Sequence, residues 1–233
     1  MSRSGRDPRP RGRRRRLSWW QEGLVLVVVA FLTALVVKTF LLQMFFVPSV
    51  SMRPGLAIDD RILVEKPSTW DGQVERGDVV VFRDPGGWLP PVPKPGPVQQ
   101  ALSTVGLFPE GGHLVKRVIG LGGDRVACCD AKGRVTVNGT PLRESDYLLR
   151  GVAPSERRFD VRVPDDRLWL MGDNRPNSED SRAHQDLPGG GTVPADAVVG
   201  RVWAVVWPWQ RFELLDRPET FTDERLDRGS AGP

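Results

Sequence analysis

Histidine and cysteine are almost missing from this sequence: His113, His184, Cys128 and Cys129 are the whole supply. Neither their number nor their spacing builds a zinc site. A bridge between neighbouring cysteines closes a tight ring and cannot staple distant segments, so a disulfide scaffold is excluded. The expectation for Cys128 and Cys129 is a pair of buried or half-buried thiols in a strand. Lysine is scarce too. Of 33 Lys plus Arg, only Lys38, Lys66, Lys94, Lys116 and Lys132 are lysine, so arginine carries plain positive charge here. A basic body is also missing. Through Trp20 eight arginines face one acid, Asp7, a balance of +7; against a total of +4, residues 21–233 therefore carry −3. A nucleic-acid-binding domain needs its basic patch on the folded body, so no nucleic-acid partner is expected.

Long apolar runs are absent except for one. Leu24 to Val47 reads LVLVVVAFLTALVVKTFLLQMFFV, interrupted only by Lys38 and Gln43. Roughly 20 such residues span a bilayer as a helix, and Lys38 can snorkel toward the far interface. Pro48 disfavours helical geometry in the residue before it and ends the run. A cleaved signal peptide would have a shorter apolar core and a small-x-small site; QMFFVPSVSM offers none that convinces. The expectation is an uncleaved anchor over 21–47 behind an Arg-rich cytoplasmic tail over 1–20, with Trp19 and Trp20 at the headgroup boundary. Everything after Pro48 then lies outside the cytoplasm. The late stretch VWAVVWPW is short, alternating and broken by Pro208, so a second span is excluded.

Beyond the anchor no helical period of useful length occurs. Short β-branched runs separated by Gly, Pro and Asp turns take its place: DRILVEK (60–66), GDVVVFRD (77–84), HLVKRVIGL (113–121), DRVACC (124–129), GRVTVNG (133–139), DRLWLMGD (166–173) and GRVWAVVW (200–207). Alternation and turn signals at DAKG and Asn138-Gly139 predict a mainly β domain over 48–216. Residues 85–112 begin PGGWLPPVPKPGPV and read as a Pro/Gly-rich insertion loop, a solvated spacer. Residues 217–233 are polar and read as a frayed, flexible tail.

Three elements carry candidate chemistry. Lys116 sits beside Arg117 in the apolar strand LVKRVIG, where alternation sends the two to opposite faces. Arginine keeps its proton in a protein; a desolvated lysine does not, so an inward Lys116 is a candidate base. An edge-strand lysine facing water is the plainer alternative. PSVSMRPGL (48–56) places Ser49 and Ser51 where the chain leaves the membrane. MGDNRPNSEDSR (171–182) is a turn-rich loop after a strand, dense in hydrogen-bonding side chains that can satisfy their own backbone.

In this order, behind this anchor, PSVSM, RGDVVVF (76–82), KRVIGLGGD (116–124) and GDNRPNSEDSR (172–182) resemble the type I signal peptidase family. The resemblance implies antiparallel, coiled-β or barrel-like sheets after one N-terminal transmembrane helix, in a Ser/Lys-dyad serine protease of the plasma membrane. Ser51 matches the nucleophile and Lys116 the general base. Ser49 matches the oxyanion-hole serine and Ser178 the serine that orients the lysine. Asp180 and Arg182 match a supporting ion pair. Val47 and Val115, with Met52, fall where the pockets for small substrate side chains are lined. The implied substrates are exported pre-proteins cut after Ala-x-Ala-like sites, at the lipid bilayer, with no metal and no cofactor. Gly55, Gly122 and Pro176 depart from the usual threonine, proline and aspartate, and AHQD after Arg182 departs from the aromatic-glycine pattern. A cytoplasmic self-cleaving Ser/Lys repressor would need a helical DNA-binding domain that is missing here. A non-enzymatic anchored β domain would leave the two serines and the lysine without a reason to occur together. A related processing peptidase with a restricted client shares every feature named.

Overall fold

The computed structural model describes residues 19–36, 41–66, 74–90, 96 and 112–229. The chain divides into two units, residues 1–38 and 39–233. The first contains helix α1 (Trp19–Val36), whose apolar side chains from Leu24 to Leu32 are exposed. Among the described residues no helix is long and apolar enough to cross a membrane. The arginine tail up to Arg16 and Lys38 lie outside the described residues. The apolar run expected to be one helix as far as Val47 is not helical throughout. Leu42–Phe46 form strand β1, paired antiparallel with β2 (Arg61–Glu65) from Leu42↔Glu65 to Phe46↔Arg61. An unbroken apolar run suits a strand or a helix equally; the pairing partner decides.

The second unit is built from antiparallel strands, as expected. They are β3 (Val79–Arg83), β4 (His113–Gly120), β5 (Arg125–Cys128), β6 (Val135–Val137), β7 (Thr140–Pro141) and β8 (Phe159–Arg162). After these come β9 (Arg167–Met171), β10 (Val193–Pro194), β11 (Val198–Trp207) and β12 (Glu213–Leu214). The larger sheet runs β1-β2-β11-β3-β4-β9-β10, with β12 on β11, and the smaller runs β7-β6-β5-β8. Register shifts along β11 and β4 mark bulges, which bend and twist a sheet. Strand β4 is central. Val115 packs with the apolar cluster around Val47 and Met52, Val118 with that around Phe82, and Ile119 with that around Trp169. Both of its faces are covered, so Lys116 and Arg117 are both buried.

Three expectations are corrected. Cys128 and Cys129 are bonded to each other rather than held as thiols. The insertion does not begin as a solvated spacer. The Asp84 carboxylate accepts from the Gly86, Trp88 and Leu89 N–H groups, and buried Trp88 stacks on His184 with centroids 4.4 Å apart. Residues 91–95 and 97–111 of that loop lie outside the described residues. The segment after Arg217 is not frayed: Phe221 and Leu226 are buried in the core around Trp169. Polar spacing concealed two apolar anchors there.

Candidate active site

The loop that carries Ser51 is shaped by its own backbone. Val47 N–H donates to Asp60 O (2.9 Å) and Asp59 N–H to Val47 O (3.0 Å), closing residues 47–60 into a loop at the end of β1. Inside it Arg53 N–H bonds Val50 O at 3.1 Å and Leu56 N–H bonds Met52 O at 2.9 Å. Asp60 is pinned in turn by Arg211, whose Nε donates at 2.9 Å. The tight turn presents Ser51 inward, 6% exposed, with Met52 behind it.

Lys116 reaches Ser51 across 65 positions of sequence. Its Nζ donates to Ser51 Oγ at 2.8 Å and to Val115 O at 3.1 Å. The lysine is 4% exposed. Burial lowers its pKa to about 8, against the opposing pull of the Asp180 and Asp173 charges, while Arg182 pushes the same way as burial. Lysine ordinarily holds its proton to about pH 10.4, so at neutrality this amine is far closer to giving it up. Ser49 Oγ lies 3.2 Å from Ser51 Oγ. Val47, Met52 and Val115 meet in one apolar cluster with Phe45 and Leu56.

The loop after β9 closes the site from behind. Asn174 N–H donates to Ser51 O at 3.0 Å, and its side-chain amide donates to Val50 O at 3.1 Å. Asp173 takes two bonds from Arg117, at 2.8 and 2.7 Å, in the fork geometry that suits a guanidinium and a carboxylate. Asp180 takes two bonds from the Arg182 guanidinium, at 2.9 and 2.7 Å, one from the Arg182 N–H at 3.1 Å and one from Gly172 N–H at 3.0 Å. Burial alone would raise the Asp180 carboxyl; the Arg182 guanidinium and the Gly172 N–H outweigh it and hold the pKa below the ordinary value. Gly172 has no room for a side chain. A Cβ there would lie 2.2 Å from Ser178 Oγ and 2.5 Å from Ser51 O.

Ser51, Ser49, Lys116, Val47, Met52, Val115, Ser178, Asp180 and Arg182 are thus brought to one place. Ser178 differs in detail. Its Oγ is buried without a hydrogen-bond partner, close enough for its dipole to favour ionised Asp180 but outside bonding geometry, and the lysine bonds Val115 O instead. A Cβ at Gly55 would meet only ordinary contacts, 3.8 Å from Met52 O and 4.0 Å from Asp173 Oδ2, and Pro176 sits exposed in the 3-10 turn Arg175–Asn177, so neither departure crowds Ser51 or Lys116. Gly122 is tight: a Cβ would come within 3.1 Å of the Asp165 and Asp166 backbone. Arg117, Gly172, Asp173 and Asn174 were not picked out by sequence reasoning. The signal was a buried-strand arginine and an acid-amide pair just past a strand, open to interpretation as loop residues that satisfy themselves. Among the described residues no group of three or more His, Cys, Asp or Glu side chains is placed to hold a metal ion. A buried serine bonded to a buried, easily neutralised lysine can deliver an activated oxygen to a carbonyl.

The family model for signal peptidase, peptidase S26, matches residues 20–207. The chain is 38% identical over 236 residues to signal peptidase I of Mycobacterium tuberculosis (strain ATCC 25618 / H37Rv), covering 90% of this chain and 78% of that protein. It is 36% identical to the probable signal peptidase I of Mycobacterium leprae (strain TN), over 85% of this chain and 80% of the relative. The probable signal peptidase I-2 of Synechocystis is 35% identical over 84% and 77%. A crystal structure of a signal peptidase I from Enterococcus faecalis V583 is 22% identical with a TM-score of 0.36, covering 55% of this chain and 96% of that one, too distant to inform the site.

Proposed function

Because this chain belongs to the signal peptidase family, peptidase S26, and is a serine endopeptidase of that family, we propose that it removes signal peptides from exported pre-proteins with Ser51 as nucleophile and Lys116 as general base. The 2.8 Å hydrogen bond between the two buried side chains carries this assignment. With its full complement of protons the amine donates to Ser51 Oγ; once neutral it becomes the acceptor. Ser51 then attacks the scissile carbonyl as its proton passes to Lys116. The tetrahedral oxygen is held by the Ser51 N–H and the Ser49 hydroxyl, a reading supported by the 3.2 Å between the two serine Oγ atoms. Lys116 returns the proton to the departing amine, and the acyl-enzyme is hydrolysed by a water that the same amine activates. Ser/Lys pairs follow the logic of the Ser-His-Asp triad without a histidine.

The apolar cluster of Val47, Met52 and Val115 favours small substrate side chains, so the cut falls after an Ala-x-Ala-like site. The substrate runs extended along the sheet, adding as a strand. The setting is the bilayer. Helix α1 presents apolar side chains on every side behind an arginine cluster, and anchors the chain with its N-terminus cytoplasmic. The second unit contributes a surface of its own: Met44, Phe46, Trp203, Trp207, Trp209, Phe212 and Leu214 are exposed on and next to β1, β11 and β12. Exposed aromatic side chains suit a headgroup boundary, apolar at one end and wet at the other.

The test uses the full chain in detergent with a pre-protein whose signal ends in Ala-x-Ala. Ser51→Ala and Lys116→Ala each lose cleavage by roughly 10³-fold or more, while Lys66→Ala cleaves normally. Cleavage retained by Ser51→Ala would overturn the assignment.

A further inference from the structure

The segment after β12 is tied to the body by a series of polar and apolar contacts. Arg217 Nε donates to Asp78 Oδ1 at 2.6 Å, and its Nη1 pairs with Glu75. Thr220 Oγ1 accepts from Arg143 N–H at 2.8 Å. Leu226 is 1% exposed, its carbonyl accepts from Asn138 Nδ2 at 2.7 Å, and Asp227 pairs with Arg76 at 2.5 Å. Between these ties sits Phe221, 9% exposed. Its ring lies so close to Gly77 that a Cβ there would be 2.8 Å away, and Gly77 holds the left-handed φ of +91° that suits glycine. The ring also packs on Tyr147, with centroids 5.8 Å apart.

Gly77 and Tyr147, both against this ring, also touch Arg117. Arg117 Nη1 donates to Gly77 O at 2.7 Å, and its guanidinium carbon lies 4.5 Å over the Tyr147 ring. The same guanidinium grips Asp173, and Asn174 next to it donates to both Ser51 O and Val50 O. Packing is therefore continuous from Phe221 through Gly77 and Tyr147 to Arg117, then through Asp173 and Asn174 to the backbone that carries Ser51.

We propose that residues 217–229 form a positioning strap for the nucleophile loop, with Phe221 as its key. The strap touches no reacting atom. It holds the Arg117 fork from behind, so that Asp173 and Asn174 keep the Ser51 carbonyl, and hence its Oγ, at the lysine. Small misplacements at a reacting centre are enough to lose rate steeply. The proposal takes its readout from the Ser51 assignment above but stands or falls separately from it.

The experiment compares wild type, Phe221→Leu and Phe221→Ala as full chains in detergent, with Ser51→Ala as control. Steady-state kinetics on one pre-protein are taken well below each variant's unfolding midpoint, which is measured alongside. The strap predicts graded turnover: kcat falls about three-fold in Phe221→Leu and roughly 30-fold in Phe221→Ala, with KM within about two-fold throughout. Should Phe221→Ala not fold, the fall in kcat of Phe221→Leu decides the matter by itself. A lowered midpoint with unchanged kcat makes the segment a stabiliser only, and a raised KM with unchanged kcat makes it a substrate contact; either result overturns the proposal. Activity surviving in Ser51→Ala would instead remove the protease assignment, whatever Phe221 does.

Discussion

Lys116 is held in a place that costs stability and gives chemistry. An amine with pKa about 8 is neutral in roughly one molecule in ten at pH 7, against about one in 3,000 at the ordinary value. The pH profile of kcat/KM should therefore rise through a limb near 8 and level off above it; a limb near 10.5 would mean a hydrated lysine. Stability has its own sign. The folded pKa lies below the unfolded one, so the unfolded chain binds more protons between the two values and stability rises with pH across that window. Below it the buried ammonium costs roughly 3 kcal/mol. Lys116→Met should accordingly be inactive yet more stable than wild type at pH 7 in urea unfolding, and its advantage should shrink as pH approaches 10. Ser49→Ala should lower kcat about 10²-fold, as removal of one oxyanion donor does, with KM nearly unchanged; a large rise in KM would assign it to binding. Gly172→Ala should cost about as much in kcat, because its methyl group would displace the Ser51 carbonyl. Of these residues the two serines and the lysine stand out in the sequence as a rare constellation. Gly172, Asp173 and Asn174 do not, because what they meet across the fold lies far away in sequence: the Ser51 and Val50 carbonyls for Gly172 and Asn174, and the Arg117 guanidinium for Asp173.

Among the elements, β4 explains why two adjacent cations can both be buried. Its two faces are covered by different parts of the core, so alternation sends Lys116 to Ser51 and Arg117 to Asp173 rather than one of them to water. The runs DRILVEK, GDVVVFRD, HLVKRVIGL, DRVACC, GRVTVNG, DRLWLMGD and GRVWAVVW all contain strands, because β-branched alternation has enough residues there to show itself. β7, β10 and β12 are two residues long and have no period to detect. β1 was hidden in the hydropathy of the apolar run from Leu24 to Val47, and only its register with β2 distinguishes it from the end of a helix. The exposed aromatic side chains on and after β11 lead to a prediction of the same scale. Replacing Trp207 and Trp209 together by Ser should weaken binding of the full chain to anionic vesicles and slow cleavage of a vesicle-embedded pre-protein several-fold, while leaving cleavage of a short soluble peptide unchanged. Equal losses on both substrates would place these side chains in catalysis instead.

At the scale of the molecule, the fold's task is to bring three sequence-distant segments, 47–52, 115–117 and 172–182, to one buried point, and a strand order in which β4 lies between β3 and β9 achieves it. The split between arginine-rich residues 1–20 and a mildly acidic remainder suits the proposed orientation at a membrane, and the proposed strap links Phe221 to the site through Gly77, Tyr147 and Arg117. All of this converges on an amine kept dry beside a hydroxyl. Five lysines make that amine directly observable: Nζ resonances of the 15N-lysine-labelled full chain in micelles can be titrated, with Lys116 assigned from the signal lost in Lys116→Arg. A titration midpoint near 8 is the expected result; a midpoint near 10.5, the value of a lysine in water, would contradict the account.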